Sequence, residues 1–236
     1  MSAQREPQRP WRRIRSFIRR EGRLTQGQRR ALNSLSGDFL LDPTGEPIDQ
    51  QAIFGRSAPL VLEIGFGNGE SLLEMAAMDP ERDFIGVEVH RPGLGQLLMG
   101  IERLGLKNLR AVGDDAVPFI EQRLLPGSLS QVLLYFPDPW HKKRHHKRRI
   151  VQTPFADLIA SRLEPNGLWH LATDWQNYAE HMQAVLDPHP AFTPEHQQDG
   201  RNARPKWRPK TKFERRGEQL GHPVFDLLYR RVADEN

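Results

Sequence analysis

From residue 58 onward the chain alternates between two kinds of segment, and that alternation admits very few folds. "PLVLEIG" is a short apolar run that stops at glycine, and "SLLEMAAM" then spaces its apolar residues as a helix does. "DFIGVEVH" with "GLGQLLMGIERLGL" is a second strand and helix, and "NLRAVGDD" with "AVPFIEQRLL" a third pair. "SQVLLYF" is a fourth strand. After a basic run comes "IVQTPFADLIASRLEPNG", a helix ended by Pro165 and Gly167. "GLWHLATD" and "WQNYAEHMQAVL" make a fifth pair, and "HPVFDLLYRRV" reads as a last strand. Strands alternating with helices over this length predict an α/β fold, a doubly wound and mostly parallel sheet. No internal repeat or low-complexity linker interrupts it. Residues 36–236 therefore read as one domain, preceded by a basic arm over 1–35.

The arm is one of three places where cations collect. Residues 1–30 carry ten Arg against two acids, 141–149 six Lys/Arg and no acid, and 201–216 eight Lys/Arg and one acid. The net charge is only +4, so the remainder of the chain is strongly acidic. An acidic body with three dense basic segments points to a polyanionic partner, because each cation placed on a phosphate releases counterions. One such run alone would read as a solvated face. In the arm, Trp11, Ile14 and Ile18 fall at helical spacing among Arg. That pattern suits a helix on RNA, a membrane-surface helix or a transit peptide, and composition does not separate them. The chain has no cysteine, which removes disulfides and thiolate metal sites. It has no apolar run of membrane-spanning length and no secretory h-region.

Ligands of doubly wound sheets bind at the carboxyl ends of the strands. Here the five parallel strands end at acids: Glu63, Glu88, Asp114 with Asp115, Asp138 and Asp174. The loop after the first is "GFGNG", with Gly65, Gly67 and Gly69. Glu70 in the next position breaks the dinucleotide pattern. Glu63 would also repel a pyrophosphate. The acids suit a ligand with a positive centre and sugar hydroxyls, such as S-adenosylmethionine. Glu88 stands near the spacing at which a second-strand acid meets a ribose, and Asp115 could accept from the adenine amino group. Asp114 reads equally well as a helix N-cap. Glu63 and Glu88 lie within apolar strands, where an unpaired carboxylate is costly, so a ligand is the better reading for them.

The fourth strand runs into "FPDPWHKKRHHKRRIVQ". Asp138 sits between Pro137 and Pro139, beside Trp140 and a run of cations. His141 and His145 have i, i+4 spacing, but the cations around them and the lack of a nearby acid argue against a metal.

Together "RIRSFIRREGRLTQGQ", "LEIGFGNGESL", "FIGVEVHRPG", "DDAV", "FPDPWHKKRHHKRRIVQ", "ATDWQNYAEHM" and "TKFERRGEQLGHPVFDL" resemble the bacterial tRNA (guanine-N7)-methyltransferases, of the class I methyltransferase fold. The likeness runs in order from Arg13 nearly to the C-terminus. It implies a seven-stranded Rossmann-like sheet, a cytoplasmic enzyme and tRNA as partner. The implied reaction moves a methyl group from S-adenosylmethionine to N7 of guanine 46 in the variable loop. Matched positions imply cofactor binding by Glu63, Gly65, Gly67, Glu88, Asp115 and Asp138, with Asp138 also catalytic. They imply substrate binding by Lys142, Asp174, Thr211, Lys212, Phe213 and Glu214. No metal, membrane or obligatory protein partner is expected.

Guanine N7 has a free lone pair and no proton, so its methylation needs orientation rather than a general base. A fixed carboxylate suits that task. It can accept from the paired donors of the guanine edge and follow the positive charge that develops on the ring. Two rivals remain at this stage: a class I methyltransferase acting on another RNA base, and a non-catalytic RNA-binding module. An adenine amino-group enzyme would favour an Asn/Asp-Pro-Pro-aromatic motif, and a dead module would not need the glycine loop and strand-end acids together. A nicotinamide oxidoreductase is disfavoured by Glu63 and Glu70.

Overall fold

The computed structural model describes residues 16–17, 22–195, 204–211, 214–215, 221 and 223–233. The helix expected around Trp11, Ile14 and Ile18 lies outside the described residues, as do Lys212 and Phe213. The strands are β1 (Leu60–Ile64), β2 (Asp83–Val87), β3 (Leu109–Val112), β4 (Leu129–Tyr135), β5 (Leu163–Thr173), β6 (Phe192–Pro194) and β7 (Phe225–Arg231). Among the described residues they form one seven-stranded sheet in the order β3-β2-β1-β4-β5-β7-β6. β1 to β5 pair parallel, while β7 runs antiparallel to both β5 and β6. The strand order reverses at β1, whose neighbours are β2 and β4. The crevice for a ligand therefore opens beside the carboxyl ends of β1 and β4.

Among the described residues three short helices, α1 (Gln26–Ser34), α2 (Ser36–Phe39) and α3 (Gln50–Phe54), precede the sheet. α4 (Glu70–Met78), α5 (Arg91–Leu104), α6 (Ala116–Arg123), α7 (Thr153–Arg162) and α8 (Gln176–Leu186) follow successive strands. Alternate side chains of each strand serve opposite faces. Leu60, Leu62 and Ile64 join Val87, Val132 and Leu134 against Phe119, Phe155 and Met182 of α6 to α8. Val61, Phe84 and Leu133 face the other way, onto Leu72, Leu97 and Ile101 of α4 and α5. Burial on both faces explains why β1 and β2 read as continuous apolar runs rather than alternating ones.

α1 belongs to this second layer. Thr25 and Gln28 close a reciprocal capping box at its start. Its Ala31 is buried, and Arg30 forks onto Glu102 of α5. Two local expectations shift. α7 stops at Arg162 rather than at Pro165 and Gly167, which fall in an irregular step of β5 between Leu163 and Leu168. The N-cap of α6 is Asp115, whose Oδ1 accepts from Val117 N–H, and not Asp114, which instead accepts from the Asp115 N–H. The three-residue strand β6 is too short to carry a periodic signal.

Candidate active site at the carboxyl ends of the strands

The glycine loop after β1 is folded by its backbone. Gly65 N–H donates to Val87 O at 2.8 Å, and Gly67, at φ 59°, donates its N–H to Glu88 Oε2 at 2.9 Å. A Cβ on Gly93 would stand 2.1 Å from Gly67 O, so the start of α5 packs against the loop only because that residue is glycine. Glu88 Oε1 also accepts from the N–H groups of Val89 and His90, at 2.7 and 2.9 Å. Glu88 thus shapes the glycine loop as well as facing the crevice.

Glu63 is different. It is 3 % exposed, and its Oε2 has no hydrogen-bond partner among the described residues. Burial, with the Glu88 charge second, pushes its carboxyl from an ordinary 4.5 up to about 8. A buried carboxyl without a partner costs stability, and such groups cluster where a ligand supplies the missing charge.

After β4 the chain turns sharply. Phe136 and Trp140 both lie at φ 49°, a region that non-glycine residues rarely occupy, and Pro137 and Pro139 stiffen the segment between them. Three anchors hold it. Phe136 N–H donates to Ala172 O at 2.7 Å, and Trp140 Nε1–H donates to Ser16 O at 3.0 Å. The buried Arg149 donates to Pro139 O at 2.9 Å and to the backbone and side chain of Asn177 on α8. Strain held by surrounding contacts in this way fixes the backbone that carries the exposed Asp138.

The basic run that follows is a 3-10 helix, Lys143–Arg148. Its cations divide. Arg149 is used internally, and Arg148 lies over the Trp140 ring at 4.3 Å. Lys142, Lys143, Arg144 and Lys147 are exposed. Partial burial, then Arg144 and Arg148, hold His145 below its ordinary value. Among the described residues no group of three or more His, Cys, Asp or Glu could hold a metal ion.

Two adjoining cavities of about 360 Å³ each open here. Gly65, Glu88, Asp115 and Asp138 line the first, with Ser16 and Phe17 laid across it. Glu63, Gly65, Gly67 and Thr211 line the second. Tyr135, Phe136 and His90 border both. Lys142, Asp174 and Glu214 line neither. Lys142 caps the 3-10 helix, Asp174 is half-buried just before α8, and Glu214 is buried. The orphaned Glu63 oxygen, the ring of acids and the tightly packed glycine loop fit a cationic nucleoside.

A family model described as "Putative methyltransferase" matches residues 57–227. The tRNA (guanine-N(7)-)-methyltransferase of Alcanivorax borkumensis is 55 % identical over 222 residues, covering 94 % of this chain and 93 % of the relative. The chain belongs to the tRNA (guanine-N7-)-methyltransferase family. Its Pseudomonas putida relative of the same description is 53 % identical over 95 % of this chain and 93 % of its own. Likeness of fold extends further. A 16S rRNA (adenine(1408)-N(1))-methyltransferase from Catenulisporales acidiphilia superposes with a TM-score of 0.53 at 16 % identity, covering 83 % of this chain and 94 % of that one.

In this methyltransferase several site residues are not singled out by the motifs that contain or flank them. Ser16 and Phe17 come from the arm, and Arg149 and Arg208 are hidden in basic runs. Tyr135, His170 and Asp226 sit in strands. For His170 in "GLWHLATD" and Asp226 in "PVFDLLY" a signal did exist: each is a polar residue inside an apolar strand.

Proposed function

We propose that the protein transfers the methyl group of S-adenosylmethionine to N7 of guanine 46 in the variable loop of tRNA, in the cytoplasm. What supports the reading most directly is a pair of adjoining cavities that share Gly65, His90, Tyr135 and Phe136 as walls. They bring the acids suited to the cofactor and the constrained Asp138 together, and the cationic 3-10 helix starts a few residues beyond their rim.

When bound, S-adenosylmethionine supplies an electrophilic methyl group on a sulfonium, beside an ammonium and a ribose. Glu63 would balance positive charge on the ligand, Glu88 would accept from the ribose hydroxyls, and Asp115 would accept from the adenine amino group. Gly65 and Gly67 let the backbone approach closely. Asp138 accepts from the donor edge of guanine and holds N7 in line. Because N7 carries no proton, Asp138 removes none; its carboxylate stabilises the positive charge that grows on the purine. Lys142 and Lys212 neutralise phosphate, Asp174 contacts the guanosine, the buried Glu214 supports Thr211 from behind, and Thr211 and Phe213 complete the substrate side.

The test incubates the protein and labelled S-adenosylmethionine with two tRNA transcripts, one lacking the variable-loop guanine. Label is expected only in the transcript that has it; label in both or in neither overturns the site assignment. Asp138→Asn should keep tRNA binding and lower the single-turnover rate about 100-fold or more. Full turnover would overturn the role given to Asp138.

A further inference from the structure

One buried side chain ties Glu214 to β7 and lies near the entry to the Asp138 turn, and none of the roles above uses it. Arg208 is 1 % exposed. Its guanidinium forks onto Glu214, Nη1 to Oε2 at 2.7 Å and Nη2 to Oε1 at 2.8 Å. The same group forks onto Asp226 of β7, Nε to Oδ1 at 2.8 Å and Nη2 to Oδ2 at 2.9 Å. It also lies 5.7 Å from the Tyr135 ring centre and 5.9 Å from that of Phe136, at the entry to the Asp138 turn.

Behind Asp226 the bonding continues. His170 Nε2 meets Asp226 Oδ1 at 2.7 Å, and Tyr135 OH meets His170 Nδ1 at 2.9 Å. Because a carboxylate only accepts, His170 donates from Nε2 and accepts from Tyr135 at Nδ1. The chain of bonds starts at Tyr135, on the wall shared by both cavities, and ends at Glu214. From there Glu214 N–H donates back to Thr211 Oγ1 at 3.1 Å, and Thr211 lines the cofactor-side cavity. Residues 208–211 belong to no helix or strand, while Glu214 and Arg215 are helical and the Arg215 N–H donates to Thr211 O at 3.0 Å. The side-chain bonds of Arg208 tie this turn to β7.

We propose that Arg208 is a positioning residue for methyl transfer: its double fork onto Glu214 and Asp226 ties Glu214, and through it Thr211, to β7 beside the cofactor-side cavity and near the entry to the Asp138 turn. This rests on the reading that Thr211 serves the substrate. The requirement is for a planar five-donor fork rather than for charge alone. Lysine at 208 keeps the charge and cannot hold both carboxylates in that geometry.

The experiment compares wild type, Arg208→Lys and Asp226→Asn in single-turnover methylation of a tRNA transcript, below the melting temperature of each. S-adenosylmethionine affinity is measured by calorimetry on the same samples. Arg208→Lys is expected to slow transfer at least 30-fold and raise the KM for tRNA, with cofactor affinity within threefold of wild type. Asp226→Asn, which keeps the Arg208–Glu214 fork, is expected to slow transfer five- to twenty-fold, and it carries the test if Arg208→Lys does not fold. A purely structural role would lower the melting temperature of both variants and leave their rates within threefold of wild type; that result overturns the proposal. Thr211→Ala separates the two layers. If it is impaired while Arg208→Lys is not, the clamp fails and the reading of the segment stands. If Thr211→Ala is fully active, the reading of the segment fails and takes the clamp with it.

Discussion

Two sets of buried carboxyls stand on the same face of the sheet, and they are treated in opposite ways. Glu63 Oε2 has no hydrogen-bond partner among the described residues, and burial drives the carboxyl up to about 8. Glu214 and Asp226, no more exposed, share the guanidinium of Arg208, and Asp226 has His170 as well. Burial pushes the Asp226 carboxyl up, but His170 and Arg208 outweigh it and hold the group below its ordinary value. The first carboxyl is incomplete until a cation arrives. The second pair is complete without any ligand, which is what a scaffold for ligand-binding groups requires. Burial alone does not mark a binding residue; a missing partner does.

The largest effect that could break this contrast is on stability. Glu214→Gln leaves half of the Arg208 fork without its charge in a dry site, and should cost about 3 kcal/mol in chemical unfolding. Glu63→Gln should move the other way. With a folded value near 8 against an ordinary 4.5, Glu63 keeps its proton in the folded state between those limits. Its contribution to stability is full below that window and is lost as the pH rises through it. At pH 8 the glutamine variant, without ligand, should melt several degrees above wild type. If both substitutions destabilise equally, the two sets are not different in kind.

The same substitution should be costly for binding. Glu63→Gln removes the one charge offered to the ligand from this strand, so S-adenosylmethionine should bind roughly 10- to 100-fold more weakly by calorimetry. An unchanged dissociation constant would remove Glu63 from the cofactor site.

A smaller effect sharpens the point through pH. A cation binds the ionised form of Glu63, while the empty site favours the protonated one. Affinity should therefore tighten as pH rises, approaching tenfold per unit between pH 6 and 7 and levelling off near 8. The Glu63→Gln protein is the control that isolates this carboxyl from the ligand's own titration and from Glu88. A wild-type slope no steeper than that of the variant would mean that Glu63 is already ionised.

Much of this was legible in the sequence, for a definable reason. Strand-helix alternation reports burial on two faces, so the parallel core from Leu60 to Leu186 could be read from apolar spacing. Acids at strand ends were legible because they break that spacing. What spacing does not carry is the direction in which a cation turns. Within "HKKRHHKRR" nothing marks Arg149 as the one that folds inward onto Pro139 and Asn177. Within "RPKWRPKTKFERR" nothing marks Arg208, although Trp207 beside it is 45 % exposed. Those choices depend on acceptors far away in sequence, and so does the seating of Ser16 against Trp140. Asp115 taking the cap from Asp114 is the same lesson at one residue's distance, since either acid satisfies a helix N-terminus.

The least expected change concerns the far end of the paired set. Tyr135 OH donates to His170 Nδ1, and burial, with the Glu63 charge second, keeps that hydroxyl well above its ordinary value. The bond should therefore persist through alkaline pH. Tyr135→Phe keeps the ring against Arg208 and removes only the donor, which strands one acceptor of a fully buried imidazole. The expected cost is about 1–2 kcal/mol in urea unfolding with an unchanged m-value. Cofactor affinity should hold, because the hydroxyl points its proton into the network and not at the ligand. A Tyr135→Phe protein as stable as wild type would show that the network does not close at this residue. One that lost cofactor affinity instead would move Tyr135 from the paired set to the side of Glu63, among groups that wait for a ligand.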